Sequence, residues 1–67
     1  SMPPMWAWKR STELDPTYVK AYFNMGLTYL NNLNRFEDGR RCLRQVLELR
    51  PDHPRAQEIR QVLSLEP

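Results

Sequence analysis

Apolar residues recur at helical spacing over residues 18–33. At 100° per residue, Tyr18, Tyr22, Met25, Gly26, Tyr29 and Leu33 fall on one stripe, and Phe23, Leu27 and Leu30 form a second beside it. Together the stripes cover about half the circumference, more than a single partner helix can bury. A second run places Phe36, Gly39, Leu43, Val46 and Leu47 on one face, widened by Cys42 and Leu49. Each run carries a glycine on its apolar side. Glycine in a helix interior costs about 1 kcal/mol relative to alanine, so something should compensate for it. Two facing glycines would let the helix backbones approach closely, which gives Gly26 and Gly39 a reason to be there.

Proline sets the boundaries. The phrases "TELDP", "LELRP" and "LSLEP" each place a leucine two residues before a proline, at Pro16, Pro51 and Pro67. Proline cannot continue a helix and biases its predecessor away from helical geometry, so each phrase reads as a helix end. Pro16 and Pro51 stand 35 residues apart and Pro67 follows 16 later, which suggests a repeating helix–turn–helix unit. The first helix of the unit is expected to start with Asp15 as N-cap and Pro16 at the first helical position, and to run to about Asn31. "NNLN" is the turn. Asn34 is expected to cap the second helix, with Glu37 completing a capping-box-like pattern, and that helix should end near Leu49. A third helix is predicted from about Pro54 to Ser64, capped by Asp52 or His53. "MWAWKRSTEL" is long enough for a short helix that began further upstream. The expected organisation is residues 1–4 unstructured, with Ser1-Met2 a cloning remnant, then a partial helix over 5–14, a full unit over 16–51 and a closing helix over 53–67. The predicted fold class is all-α, an antiparallel helix–turn–helix flanked by these two pieces.

Composition narrows the function. With 67 residues the chain is one domain at most, and at this length a single core rarely supplies more than roughly 3–5 kcal/mol. Cys42 has no partner for an internal disulfide, and with His53 alone it cannot complete a zinc site, so no metal or cofactor is expected. No stretch approaches the ~20 apolar residues of a membrane span, and no basic segment leads into an apolar run. An intracellular, cytoplasmic setting is therefore expected. No catalytic constellation is present: His53 lies between prolines in a turn and reads as a helix cap, and Cys42 reads as a small core hydrophobe. The chain is not expected to be an enzyme. Ten basic residues stand against eight acidic, and eight of the ten are arginine. However, Glu37 stands four before Arg41, Arg44 four before Glu48, and Glu58 lies between Arg55 and Arg60. This is a mixed-charge solvated face, not the unpaired basic stripe that tracks phosphates, so nucleic-acid binding is the weakest alternative.

These residues resemble the tetratricopeptide repeat family. Tyr22-x-x-Met25-Gly26-x-x-Tyr29 matches the aromatic, Leu-Gly and Tyr of its first helix. Gly39 takes the small position of the second helix, Leu43 the large one and Pro51 the closing proline. The turn "NNLNR" is one residue longer than the family norm. Trp8, Ser11 and "ELDP" are similar to the tail of a preceding repeat, and "PRAQEIRQVLSL" to the helix that closes such an array. The resemblance implies a non-catalytic scaffold or adaptor module that binds a protein or peptide on the inner face of its first helix, and it nominates Lys20, Phe23, Asn24, Leu27, Leu30 and Asn31. Lys20 and Asn24 also sit where one subset of the family clamps the carboxylates of chaperone tails, but Phe23 and Leu27 stand where that clamp is polar. The alternative is a self-association element, a homodimer formed by pairing or by exchange of the N-terminal helix. In that case Trp6, Trp8, Phe23 and Leu27 would be covered by a second copy.

Overall fold

The computed structural model describes residues 2–65 and contains four helices: α1 (Met5–Leu14), α2 (Val19–Asn31), α3 (Phe36–Leu49) and α4 (Ala56–Ser64). Each packs against the next, so α2 lies between α1 and α3, and α4 rests on α3. The fold is all-α, with no strand among the described residues. The cloning-remnant expectation at Ser1 and the last two positions of the expected closing helix, 66–67, lie outside the described residues.

The turns explain where the helix boundaries depart from expectation. One carboxylate oxygen of Asp15 accepts the Thr17 N–H at 3.0 Å and the Thr17 hydroxyl at 2.7 Å. The chain is thereby held in a turn, and α2 begins at Val19 rather than Pro16. The Thr17 hydroxyl, then its N–H, hold the Asp15 carboxyl below its ordinary pKa. At the far end of α2, the carbonyl of Thr28 accepts the N–H groups of both Asn32 and Leu33, closing the helix. Asn34 does not cap α3. It sits in the left-handed region at φ 53°, a conformation asparagine tolerates better than most residues. The following Arg35 N–H turns back to the Tyr29 carbonyl at 2.9 Å.

The first turn of α3 instead carries Glu37 and Asp38, which suit the positive end of the helix dipole. Glu37 pairs with Arg40 at 2.6 Å, and Asp38 pairs with both Arg35 and Arg41. These bridges span three residues, in place of the four-residue Glu37–Arg41 pair expected from spacing. At the last turn, α4 starts at Ala56, two residues later than expected. There His53 does act as a local acceptor, its Nδ1 taking the Arg55 N–H at 3.0 Å.

The two glycines sit at the crossing of α2 and α3. A Cβ on Gly26 would lie 2.8 Å from Cδ2 of Leu43 and 3.3 Å from the Gly39 carbonyl oxygen. A Cβ on Gly39 would lie 2.6 Å from Cγ of Leu30 and 3.2 Å from the Gly26 carbonyl oxygen. The relation is reciprocal: each glycine makes room for the other's backbone and for one leucine. The close contact so gained is what offsets the glycines' poor helix propensity. Leu43 and Val46 are fully enclosed below this crossing and meet Ile59 of α4.

On the other side of α2, Trp8 of α1 is buried with Ala21, Met25 and Tyr29, and Met5 and Cys42 pack against this cluster. The Trp8 ring meets Tyr18 edge-on at 6.3 Å. Three residues assigned to the buried stripes are substantially exposed: Tyr18, Leu33 and Phe36. Tyr18 and Leu33 fall outside α2 and Phe36 is the first residue of α3, so all three lie at the margins of the paired helices.

Candidate functional site

The second stripe of α2 faces α4 across a groove. Phe23, Leu27 and Leu30 form one wall, Ile59 and Val62 of α4 the other, and Leu43 of α3 the floor. Asn31, Arg55 and Glu58 also line it, and the volume of this open groove is about 130 Å³. The walls are apolar because α2 and α4 both rest on α3 without closing on each other. The spacing is set by Leu43 and Ile59, which are almost wholly buried between the helices.

One end of the groove is covered by the chain itself. The His53 imidazole stacks on Phe23 with ring centroids 5.3 Å apart and 26° between planes. The Arg55 guanidinium also lies over the Phe23 ring, 5.3 Å from its centroid. It bonds both carboxylate oxygens of Glu58, Nε at 3.3 Å and Nη2 at 2.9 Å. That pairing lowers the Glu58 pKa and raises that of Arg55, so both stay charged near neutrality.

Of the six residues nominated for partner binding, Phe23, Leu27, Leu30 and Asn31 line this groove. Leu30 also fills the space above Gly39, so it belongs to the hairpin core as well. Lys20 is exposed near the start of α2 and Asn24 is half-buried, and neither is among the lining residues. Of the residues nominated for self-association, Trp6 is 72% exposed, whereas Trp8 is only 7% exposed because α2 covers it.

Leu43, Arg55, Glu58, Ile59 and Val62 were not nominated from the sequence. The 35-residue offset between Pro16 and Pro51 carried the signal for two of them, since it maps Asn24 onto Ile59 and Leu27 onto Val62. A second depression, lined by Tyr22, Arg41, Cys42 and Gln45, lies between α2 and α3. Cys42 is half-buried there, and burial pushes its thiol pKa up, which makes it a poor nucleophile. Among the described residues no group of three or more His, Cys, Asp or Glu side chains could hold a metal ion, and no helix is long and apolar enough to cross a membrane.

The family model for the tetratricopeptide repeat matches residues 7–41, from α1 through α2 into the first half of α3. No curated protein and no solved structure matches the chain. The match spans more than half of the chain and contains Gly26 and Gly39, around which α2 and α3 cross, and the chain belongs to the tetratricopeptide repeat family.

Proposed function

We propose that the chain is a protein-interaction module that holds a peptide or a partner helix in the groove between α2 and α4. The observation that carries this reading is the groove itself. Phe23, Leu27, Ile59 and Val62 face one another across a space that none of the four helices fills. An apolar side chain of a ligand would enter between them, and Asn31, Arg55 and Glu58 would meet its polar flanks. Lys20 and Asn24, further along α2, would contact a longer ligand. The family, whose repeats generally serve as non-catalytic interaction modules, supports the same reading. The pairing of Arg10, Arg35, Arg40, Arg41, Arg50 and Arg55 with neighbouring carboxylates argues against a phosphate-tracking surface.

Selection from a random peptide display library tests the proposal. Enriched peptides should share a bulky apolar residue and lose binding to the Leu27→Glu and Val62→Glu variants. They should still bind a Gln61→Glu variant, which changes the exposed side of α4. Enriched peptides that bind all three variants equally would place recognition elsewhere.

Exposed Trp6 and Met2, beside the start of α1, favour self-association as the second reading. Sedimentation across a wide concentration range decides it: a monomer throughout removes that reading, and a dimer dispersed by Trp6→Glu supports it.

A further inference from the structure

We propose that the groove between α2 and α4 takes Trp6 from a second copy of this chain, so that copies join head to tail. The inference rests on the groove reading above and names the occupant. Trp8 is covered by α2, whereas Trp6, on the other side of α1, is 72% exposed. The helix α1 sits against the Ala21 and Met25 side of α2, while Phe23, Leu27 and Leu30 point about 180° away at 100° per residue. Trp6 therefore cannot reach the groove of its own chain. Another copy can supply it.

The two surfaces match in chemistry. An indole is a broad apolar body with one N–H donor at its edge, and when buried it needs an acceptor. The groove offers apolar walls at Leu27 and Val62, with Asn31 and Glu58 beside them. Arg55 makes one bond to each Glu58 oxygen, which leaves lone pairs for the indole N–H. His53 and Arg55 already close the Phe23 end, so the entry is at Leu27 and Val62. The groove is preformed, since Arg60 bonds the Pro51 carbonyl at 3.0 Å and ties α4 to its turn. The charges fit as well. Lys9 shares the outer face of α1 with Trp6 and has no ion pair among the described residues, and Glu58 is the one carboxylate in the groove's lining. Arg10 and Glu13, on the same face, pair with each other and add no net charge. The outer face of α4 is no rival site, because Gln57, Arg60, Gln61 and Ser64 are polar and exposed there. After one contact each copy still carries a free Trp6 or a free groove, so the assembly is heterologous and does not stop at two.

Sedimentation of the intact chain up to about millimolar concentration tests this, the range expected of a small contact with a single anchor. The weight-average mass should rise past that of a dimer. Trp6→Ser and Leu27→Glu should each weaken association at least about tenfold. Mixed one to one, they should form a dimer and nothing larger, since one variant keeps the groove and the other keeps Trp6. Val62→Glu, on the opposite wall, should be able to replace Leu27→Glu in that mixture, and circular dichroism checks that each variant is folded. As the wild type is concentrated, Trp6 emission should shift to the blue, with Trp8 buried throughout. A wild type that stays monomeric, a folded Leu27→Glu or Val62→Glu variant that associates as the wild type does, or a mixture that stays monomeric would each overturn the proposal. Pairing of Trp6 with Trp6 gives the second of these outcomes. Peptide selection on the Trp6→Ser variant separates this inference from the groove reading. If assembly fails while selected peptides still need Leu27 and Val62, the groove stands and only its occupant is wrong.

Discussion

Helices α2 and α4 occupy equivalent places in the chain, one repeat apart, yet they present different faces to their surroundings. With the 35-residue offset, Tyr22, Met25, Gly26 and Tyr29 of α2 correspond to Gln57, Arg60, Gln61 and Ser64 of α4. All four α2 residues are buried or half-buried, and all four α4 residues are exposed. By contrast, Ala21 and its counterpart Ala56 are both buried, as are Trp8 and its counterpart Leu43 on the preceding helices. The shared positions are those that seat each helix on the one before it. The divergent ones are those with which α2 receives α3 and for which α4 has no following helix among the described residues. A repeat unit is thus two surfaces, one that seats a helix on its predecessor and one on which α2 receives α3.

The largest effect should come from removing what both helices share. Leu43→Ala empties the floor under α2 and α4 together, and should lower stability by about 2–5 kcal/mol as read from the urea midpoint. A change confined to one helix would show that the two do not depend on the same support. The paired substitutions Gly26→Val and Gln61→Val sharpen the contrast directly. On α2 the added carbons must push into Leu43 and toward the Gly39 carbonyl, which should cost about 1–3 kcal/mol. On α4 the same side chain meets solvent and should change stability by no more than about 0.5 kcal/mol. Equal losses in thermal denaturation would abolish the distinction between the two faces.

Acid should separate the helices more gently. The carboxyls of Asp15, Glu37, Asp38 and Glu58 are all held below their ordinary pKa values. For Glu37, Asp38 and Glu58 the leading cause is a hydrogen bond from a nearby arginine, whereas for Asp15 it is Thr17. A carboxyl with a depressed folded-state pKa contributes stability that is present above its unfolded value and lost as pH falls through the folded one, here below about 4. Two of the four lie in the first turn of α3 and one in the first turn of α4. Asp38→Asn, which breaks the bridges to Arg35 and Arg41, should therefore shallow the acid limb of the stability–pH profile. At neutral pH it should move the thermal midpoint less than either core substitution does, because these pairs face water. An unchanged acid limb would mean the bridges contribute nothing measurable.

Much of this was legible in the residues. The paired glycines, the apolar periods and the proline boundaries pointed to the α2–α3 crossing and to the family, and all are local patterns that the chain carries whatever surrounds it. Half of the groove's lining was legible. Phe23, Leu27 and Leu30 share a stripe on one helix, and Asn31 was nominated by the family resemblance. Their partners across the groove were not, because Ile59 and Val62 are ordinary core residues until α4 is laid beside α2. The helix starts were misjudged at Pro16 and Asn34, where a cap-forming residue type was present but used its hydrogen bonds otherwise. Asp15 holds a turn, and Asn34 serves through its backbone, taking a left-handed conformation.

The sequence by itself determined that there are helices, where they end to within a few residues, and which two points they cross at, since those depend on side-chain period, glycine and proline along a short stretch. Only the tertiary structure decided that Trp8 is interior while Trp6 is not, and that α4 shelters one flank of α2 and leaves a groove along it. Those outcomes depend on which surfaces meet across distant parts of the chain, and burial is a property of the pair, not of either residue alone.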